Sequence, residues 1–150
     1  MFSPEHILLL FWEKLKTVNR MALCAVSHST TPTGWNGRGQ GSILVIEPDE
    51  NTLIFQERGS WENGIEFSNT FRWTLDREEE KISLEHLRLE QPLFLFHLTP
   101  TGENQLTSIA PHLCKEDRYF AQALLDSDRI RLTWRVVGPK KDEHLEYDYF

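Results

Sequence analysis

The chain has 150 residues, a formal net charge of −7 and a hydrophobic fraction of 39%. This length is typical of one domain with a substantial core, and the acidic balance argues against a nucleic-acid partner, which requires a basic surface. An aromatic content of 11%, with five Trp and nine Phe, suits sheets that have large inward side chains. We therefore expect residues 1–150 to form a single globular domain.

The first predicted element is a helix over about residues 4–16. Ser3 is suited to the N-cap, Pro4 to the first helical position and Glu5 to the positive end of the helix dipole. Apolar residues cover most of its circumference, so we expect a buried helix that acts as a plug or lid on a hydrophobic surface.

The apolar run over residues 7–12 is too short to be a targeting or membrane segment. It has six consecutive apolar residues, whereas a membrane span needs about 20, and no basic region precedes it as in a signal peptide. The two cysteines, Cys24 and Cys114, are ninety residues apart and favour free thiols in a reducing compartment. The sequence thus predicts a cytoplasmic protein without a membrane span.

From Val18 onward the apolar pattern has a period of two, which is typical of β-strands. The clearest strand covers residues 65–75, where only Asn69 interrupts the apolar face, and residues 129–137 alternate just as strictly. Residues 117–125 also fit a short helix, and turns or breaks are predicted at residues 48–51, 59–64 and 99–104. The predicted strands cover residues 18–28, 39–47, 52–58, 65–75, 81–89, 93–98, 106–114, 117–125, 129–137 and 140–149.

One helix followed by eight to ten antiparallel strands predicts an all-β fold. The sequence shows no alternation of strands and helices, so a parallel sheet is not expected. Closing a meander into a barrel removes its exposed edges. We predict an up-and-down β-barrel of the lipocalin (calycin) type over about residues 18–149, with the helix against one end. The alternative is an open, strongly curved sheet wrapped around the helix.

Two motifs in the last third of the chain resemble those of a known family. They are His112-x-Cys114-x-x-Asp117-x-Tyr119 and Trp134-Arg135-Val136-Val137-Gly138-Pro139-Lys140-Lys141-Asp142. Together with a Gly-rich strand start and a Phe-Arg-Trp segment within residues 37–73, they are similar to a family of small proteins of unknown function, over about residues 37–149. The resemblance implies a calycin-like barrel with a ligand cavity, and it implies no activity.

His97, His112 and Cys114 are the residues best suited to metal chemistry. Imidazole and thiolate groups can bind zinc or haem iron, but a further ligand such as His86 or Asp117 would be needed. The spacing matches no established metal signature, and the alternative is two hydrogen-bonded histidines beside a small apolar cysteine. We therefore predict no metal site and leave the cofactor open.

A second group could orient a ligand inside the barrel. Asn69 must find partners if it is buried, and Glu57, Arg72 and His97 were placed with it as polar groups of an aromatic-lined cavity. Arg135 would be an anion clamp if it faced inward, although the apolar opposite face of its strand favours an outward position. The predicted ligand-binding residues are Asn69, Phe71, Trp73, His97, His112, Cys114, Tyr119, Trp134 and Arg135.

These patterns leave three functions open. The first is a non-catalytic barrel that binds one small, mostly apolar ligand, which enters at the end that the helix leaves uncovered. The second is an enzyme on the same barrel, an isomerase, cyclase or lyase with His97 or His112 as general base. The third is an interaction module with a filled core. Fold-level analogy does not choose among them.

Overall fold

The computed structural model describes residues 3–28, 36–89, 91–109, 112–114 and 116–150, with the side chains of residues 112–114 outside the description. One helix, α1 (Pro4–Thr17), precedes the strands. The strands are β1 (Arg20–Ser27), β2 (Gly37–Asp49), β3 (Thr52–Trp61), β4 (Glu66–Asp76), β5 (Lys81–His86), β6 (Leu93–Gly102), β7 (Gln105–Ser108), β8 (His112–Cys114), β9 (Asp117–Asp126), β10 (Arg129–Val137) and β11 (Asp142–Tyr149).

The strands form a closed antiparallel barrel. Each strand from β1 to β6 pairs with the next in the chain, β11 pairs with β1, and β10 pairs with both β9 and β11. Both β7 and β8 pair with β9, one at each of its ends, so these two short strands share one of ten positions around the barrel. The prediction of an all-β barrel is confirmed. The alternative of an open sheet is wrong because the pairing of β9 with β10 closes the ring.

Several predicted boundaries differ from the observed ones because strands tolerate proline at irregular positions. The predicted turn over residues 48–51 is shorter, since β2 continues through Pro48 with a register shift after Ile46. The predicted turn over residues 99–104 is also shorter, since β6 continues through Pro100 with a similar shift. The predicted break at Gly59 is wrong because β3 continues to Trp61, and residues 117–125 form a strand and no helix.

Helix α1 closes one end of the barrel. Its buried residues are Ile7, Leu8, Phe11, Trp12 and Leu15. The Trp12 Nε1–H donates to the carbonyl oxygen of Glu50 in the β2–β3 turn at 3.3 Å, and Arg77 in the β4–β5 turn pairs with Glu5 at 2.8 Å. Ser3 has the extended backbone of an N-cap but makes no side-chain capping hydrogen bond, so the helix is held by packing on its buried face. Within the described residues, no helix combines the length and apolar character that crossing a membrane requires.

The backbones of strands β2 and β3 approach each other closely at a pair of glycines. Gly41 and Gly59 are register partners. A Cβ atom on Gly41 would meet the carbonyl oxygen of Arg58, and one on Gly59 would meet the carbonyl oxygen of Gln40. Because these obstacles are backbone atoms, they cannot rotate away as a side chain can, and the close approach of the two strands requires glycine on both of them.

We expect Gly41→Ala to lower the free energy of unfolding by about 1–3 kcal/mol, the usual cost of overpacking, in urea denaturation followed by tryptophan fluorescence. Gly102→Ala is the matched control, because a Cβ atom there would come no closer than 3.5 Å to the side chain of Gln105. Equal stabilities of the two variants would contradict the close approach at Gly41.

Candidate functional site

A cavity of about 160 Å³ lies inside the barrel. It is in the half of the barrel away from α1: Trp61, one of its lining residues, ends β3, whereas the start of β3 adjoins the turn that bonds to Trp12. The strands bring inward side chains together here because alternate residues of each strand face the interior. The lining residues are Leu23, Trp61, Phe67, Asn69, Phe71, His86, Trp134, Leu145 and Tyr147.

Aromatic rings form most of the cavity wall, and they hold one another in place. The rings of Trp134 and Tyr147 have centroids 6.4 Å apart, and Phe71 meets Tyr147 edge-on at 6.5 Å. Trp61 and Phe67 pack at 5.6 Å, close to the end away from α1. Offset and edge-on pairs of this kind are favourable arrangements of aromatic side chains. The rings therefore form a mutually packed, largely apolar wall around the cavity.

Two lining residues, Asn69 and His86, give the cavity polar character. The His86 ring stacks on Phe71 with centroids 4.9 Å apart. Burial lowers the pKa of His86, and the positive charge of Arg88 acts in the same direction. The imidazole is therefore neutral at pH 7 and carries one donor and one acceptor nitrogen. Asn69 adds an amide, so both donors and acceptors are present beside the rings.

Glu57 does not line the cavity but lies opposite a lining residue, and it is buried, with 1% of its surface exposed. It is the register partner of Asn69 and faces the interior, as Leu53 and Phe55 do earlier on β3. The hydroxyl of Tyr149 donates to its Oε2 at 3.3 Å, and its Oε1 has no hydrogen-bond partner among the described residues. Burial raises the pKa of Glu57 to about 8, and the hydrogen bond from Tyr149 opposes this shift. The carboxyl therefore keeps its proton at neutral pH.

Trp134 contributes a further polar atom to this region. Its indole Nε1–H is buried and has no acceptor among the described residues, although its ring lines the cavity. Buried donors normally find a partner. A donor without one beside a cavity is available to a bound molecule.

The structure brings three of the predicted ligand-binding residues to the cavity and places two others in the core around it. Asn69, Phe71 and Trp134 line the cavity. Tyr119 packs against Trp134 at 6.4 Å, and Trp73 lies nearer α1, where it packs against Phe55 at 5.9 Å. Tyr119 thus contacts a lining residue, whereas Trp73 belongs to the core between the cavity and the helix.

His97 and Arg135 lie on the outer face of the barrel. This differs from the expected place of His97 in the cavity and agrees with the outward position that the strand pattern favours for Arg135, which therefore does not act as a clamp inside the barrel. The Nδ1 atom of His97 is 2.6 Å from the Ser83 hydroxyl, and the two residues are register partners with outward side chains. Arg135 is exposed and pairs with Asp142 at 3.2 Å. Each follows an inward residue, Phe96 or Trp134; β10 alternates strictly, whereas the register of β6 shifts just before His97.

The other predicted residues have mixed outcomes. Arg72, grouped with Glu57 in the sequence, faces outward and forms a bidentate pair with Glu85 at 2.8 and 3.0 Å. The side chains of His112 and Cys114 lie outside the described part of the chain. Cys24 is a free cysteine. Within the described ranges, no three His, Cys, Asp or Glu side chains are close enough together to hold a metal ion.

Sequence reasoning missed most of the lining. Leu145 and Tyr147 alternate regularly with polar residues, which indicates an inward face but not a cavity, and Leu23 lies in a run without polar neighbours. His86 entered the sequence analysis only as a possible metal ligand, although it belongs to the inward face of β5 with Ile82 and Leu84. That shared face is the signal that could have identified it.

Comparisons with known proteins identify a family and leave the activity open. A model of one family, described as a family of unknown function (DUF6314), matches residues 24–150. No curated protein matches the chain. Among solved structures, a redesigned β-barrel, mFAP1, bound to DFHBI, is similar over 91% of this chain and 97% of that chain, with 10% identity and a TM-score of 0.43.

Proposed function

Because the chain belongs to DUF6314, a family of unknown function, its function must be inferred from the site, and we propose that it binds one small, mostly apolar ligand inside the barrel. The observation that carries this proposal is the cavity itself, with aromatic walls and a few polar groups. Ligand sites generally have this composition. The ligand would enter at the end away from α1, since the helix covers the other end.

The volume of the cavity limits the size of the ligand. A buried apolar cavity of about 150 Å³ is large enough for one benzene molecule, and this cavity has about 160 Å³. The site therefore suits a single ring, or the ring-bearing end of a longer molecule that extends through the uncovered end. This arrangement would be lipocalin-like in the sense that a closed antiparallel barrel holds its ligand in the interior.

Polar groups at defined positions would orient the ligand within this space. Phe71 and Trp134 would contact its flat faces, and Asn69 and His86 would bond its polar atoms. The enzymatic alternative is less well supported, because His97, one of its two proposed bases, is bonded to Ser83 outside the barrel. A non-catalytic binding role, by contrast, gives a part to the aromatic and polar groups that line the cavity.

Filling the cavity is the most direct test. We expect Leu23→Phe to weaken the binding of benzyl alcohol at least tenfold, because the larger ring occupies the space that the probe needs. Binding would be measured by isothermal titration calorimetry or ligand-observed NMR on the full chain. Leu44→Phe is the matched control, since Leu44 is 60% exposed on the outer face of β2.

Thermal unfolding of both variants establishes that they are folded before binding is compared. Wild-type affinity in a folded Leu23→Phe variant would show that benzyl alcohol binds elsewhere, and it would refute the proposed site. Loss of binding in Leu44→Phe as well would refute it in the same way, because that residue is remote from the cavity.

A further inference from the structure

We propose that the cavity is selective for ligands that carry a basic nitrogen beside an aromatic ring, that Glu57 is the residue that recognises this nitrogen, and that ligands with a carboxylate are rejected. This inference rests on the proposed function, because it requires a ligand in the cavity. It adds the chemical class of the ligand. Three features of the site support it: the charge of its lining, the unpaired oxygen of Glu57 and the aromatic surroundings.

The lining contains no group that could neutralise an anion. None of the nine described lining residues is Lys or Arg, and His86 is neutral because burial lowers its pKa. A carboxylate or phosphate taken into a buried site without a cationic partner loses its hydration without compensation. The described cavity is therefore unsuited to fatty acids and other anionic ligands.

Glu57 provides what a nitrogen ligand needs. Glu57 on β3 lies directly opposite Asn69 on β4, and Asn69 is a lining residue. Cross-strand neighbours of this kind have Cβ atoms about 5 Å apart. Oε2 is used by Tyr149, while Oε1 is left without a partner among the described residues. A buried oxygen with unused bonding capacity is costly. A ligand N–H group that reaches Oε1 would remove that cost.

Aromatic rings around the same space favour a cation. Trp134, Tyr147 and Phe71 line the cavity, and an ammonium group within about 6 Å of such a ring is attracted to its electron-rich face, most strongly when water is excluded. The combination of several rings and one carboxyl is a recognised way to bind ammonium groups. The rings and the carboxyl together compensate for part of the hydration that the cation loses.

Binding of a cation would release a proton from Glu57. In the empty barrel the carboxyl is protonated at neutral pH, because burial raises its pKa to about 8. The ammonium ligand keeps its own proton, the carboxyl proton of Glu57 passes to solvent, and an ion pair remains in the cavity. Affinity should then increase with pH up to about 8.

Among the described residues, no other group that faces Glu57 accounts for such a dependence. On β11, Tyr149 and Tyr147 have raised pKa values, because of burial first and the Glu57 charge second, and they stay neutral. On β2 and β4 the register partners are Ile43 and Asn69, which do not titrate. On β5, burial lowers the pKa of His86 below its ordinary value, so its neutral form predominates through the interval from pH 6.5 to 8.

The test compares three probes that share one ring: benzylammonium, benzyl alcohol and benzoate. We expect benzylammonium to bind at least tenfold more tightly than benzoate at pH 8, and its affinity to rise more than tenfold between pH 6.5 and pH 8. The affinity of benzyl alcohol should not change with pH. Calorimetry in two buffers of different ionisation heat would count the released proton directly.

Glu57→Gln is the decisive variant, because the amide keeps the shape of the side chain and cannot ionise. We expect it to remove the pH dependence and to bring the affinities for benzylammonium and benzyl alcohol close together. Glu66→Gln, an exposed acid on the neighbouring strand, should keep the wild-type preference. Thermal unfolding verifies that both variants are folded.

The outcomes separate this inference from the function on which it rests. Binding of benzyl alcohol with equal or tighter binding of benzoate would overturn the selectivity and leave the ligand-binding proposal in place. A preference for benzylammonium that survives in Glu57→Gln would overturn the role of Glu57. Failure of all three probes to bind would refute the proposed function together with the inference.

Discussion

Replacing Glu57 by Gln is expected to stabilise the protein strongly at alkaline pH and to change its stability little near pH 4.5. The reason is that Glu57 has almost no exposed surface and its Oε1 has no partner among the described residues, so its ionised form is poorly tolerated in the fold. Burial accordingly raises its pKa from 4.5 to about 8. The amide has no ionised form and avoids this cost.

The direction of the pH effect follows from which state holds the proton. Between about pH 4.5 and pH 8 the unfolded chain has lost the Glu57 proton, whereas the folded protein keeps it. Rising pH therefore favours the unfolded state over this interval, and the contribution of Glu57 is constant below and above it. The total loss in wild type relative to Glu57→Gln is of the order of 5 kcal/mol.

Urea denaturation at pH 5, 7 and 9, followed by tryptophan fluorescence, measures this difference. The gap between Glu57→Gln and wild type should be small at pH 5 and grow with each step. Glu66→Gln serves as the control for removing a surface acid, and its difference from wild type should be nearly independent of pH. A gap that stays constant or shrinks with pH would show that Glu57 ionises freely in the folded barrel.

The fold could be predicted from the sequence because nearly every strand has one buried face. Residues 65–75 and 129–137 alternate so regularly that β4 and β10 were located to within one residue of their observed bounds. Short connections between such strands leave few topologies other than an antiparallel meander. Prolines and glycines misled the prediction at several strand ends, since Pro48, Gly59 and Pro100 continue strands that tertiary pairing holds together.

The site was only partly predictable, because it depends on interruptions of the alternating pattern and on how the strands then pair. Asn69 was found because it interrupts an apolar face, and Phe71 and Trp134 because they lie on strict strands. His97 was placed wrongly on the inside. A register shift opposite Leu84 turns both Leu95 and Phe96 inward, so His97 follows on the outer face.

Glu57 shows what a sequence cannot provide. Its alternation with Phe55 indicates an inward side chain, but no pattern shows that one of its oxygens lacks a partner. That property depends on the position of Tyr149, which is 92 residues further along the chain. Contacts between residues so far apart in the sequence come from barrel closure, because β11 pairs with β1 and brings Tyr149 into the core.

Trp12→Ala is expected to lower the free energy of unfolding by about 3–5 kcal/mol, the usual cost of truncating a buried aromatic side chain. Trp12 is buried on α1, and the substitution also leaves the carbonyl oxygen of Glu50 without its side-chain donor. Leu10→Ala is the control, since Leu10 is 39% exposed on the other side of the helix. Urea denaturation of the three proteins gives the comparison.

The same pair of variants tests how the two ends of the barrel divide their roles. Trp12 is not among the residues that line the cavity, so a folded Trp12→Ala protein should bind benzyl alcohol with wild-type affinity under conditions well below its unfolding transition. Equal stabilities of Trp12→Ala and Leu10→Ala would show that the helix does not act as a plug. Large loss of stability with unchanged binding would mean that α1 holds one end closed while the opposite end receives the ligand.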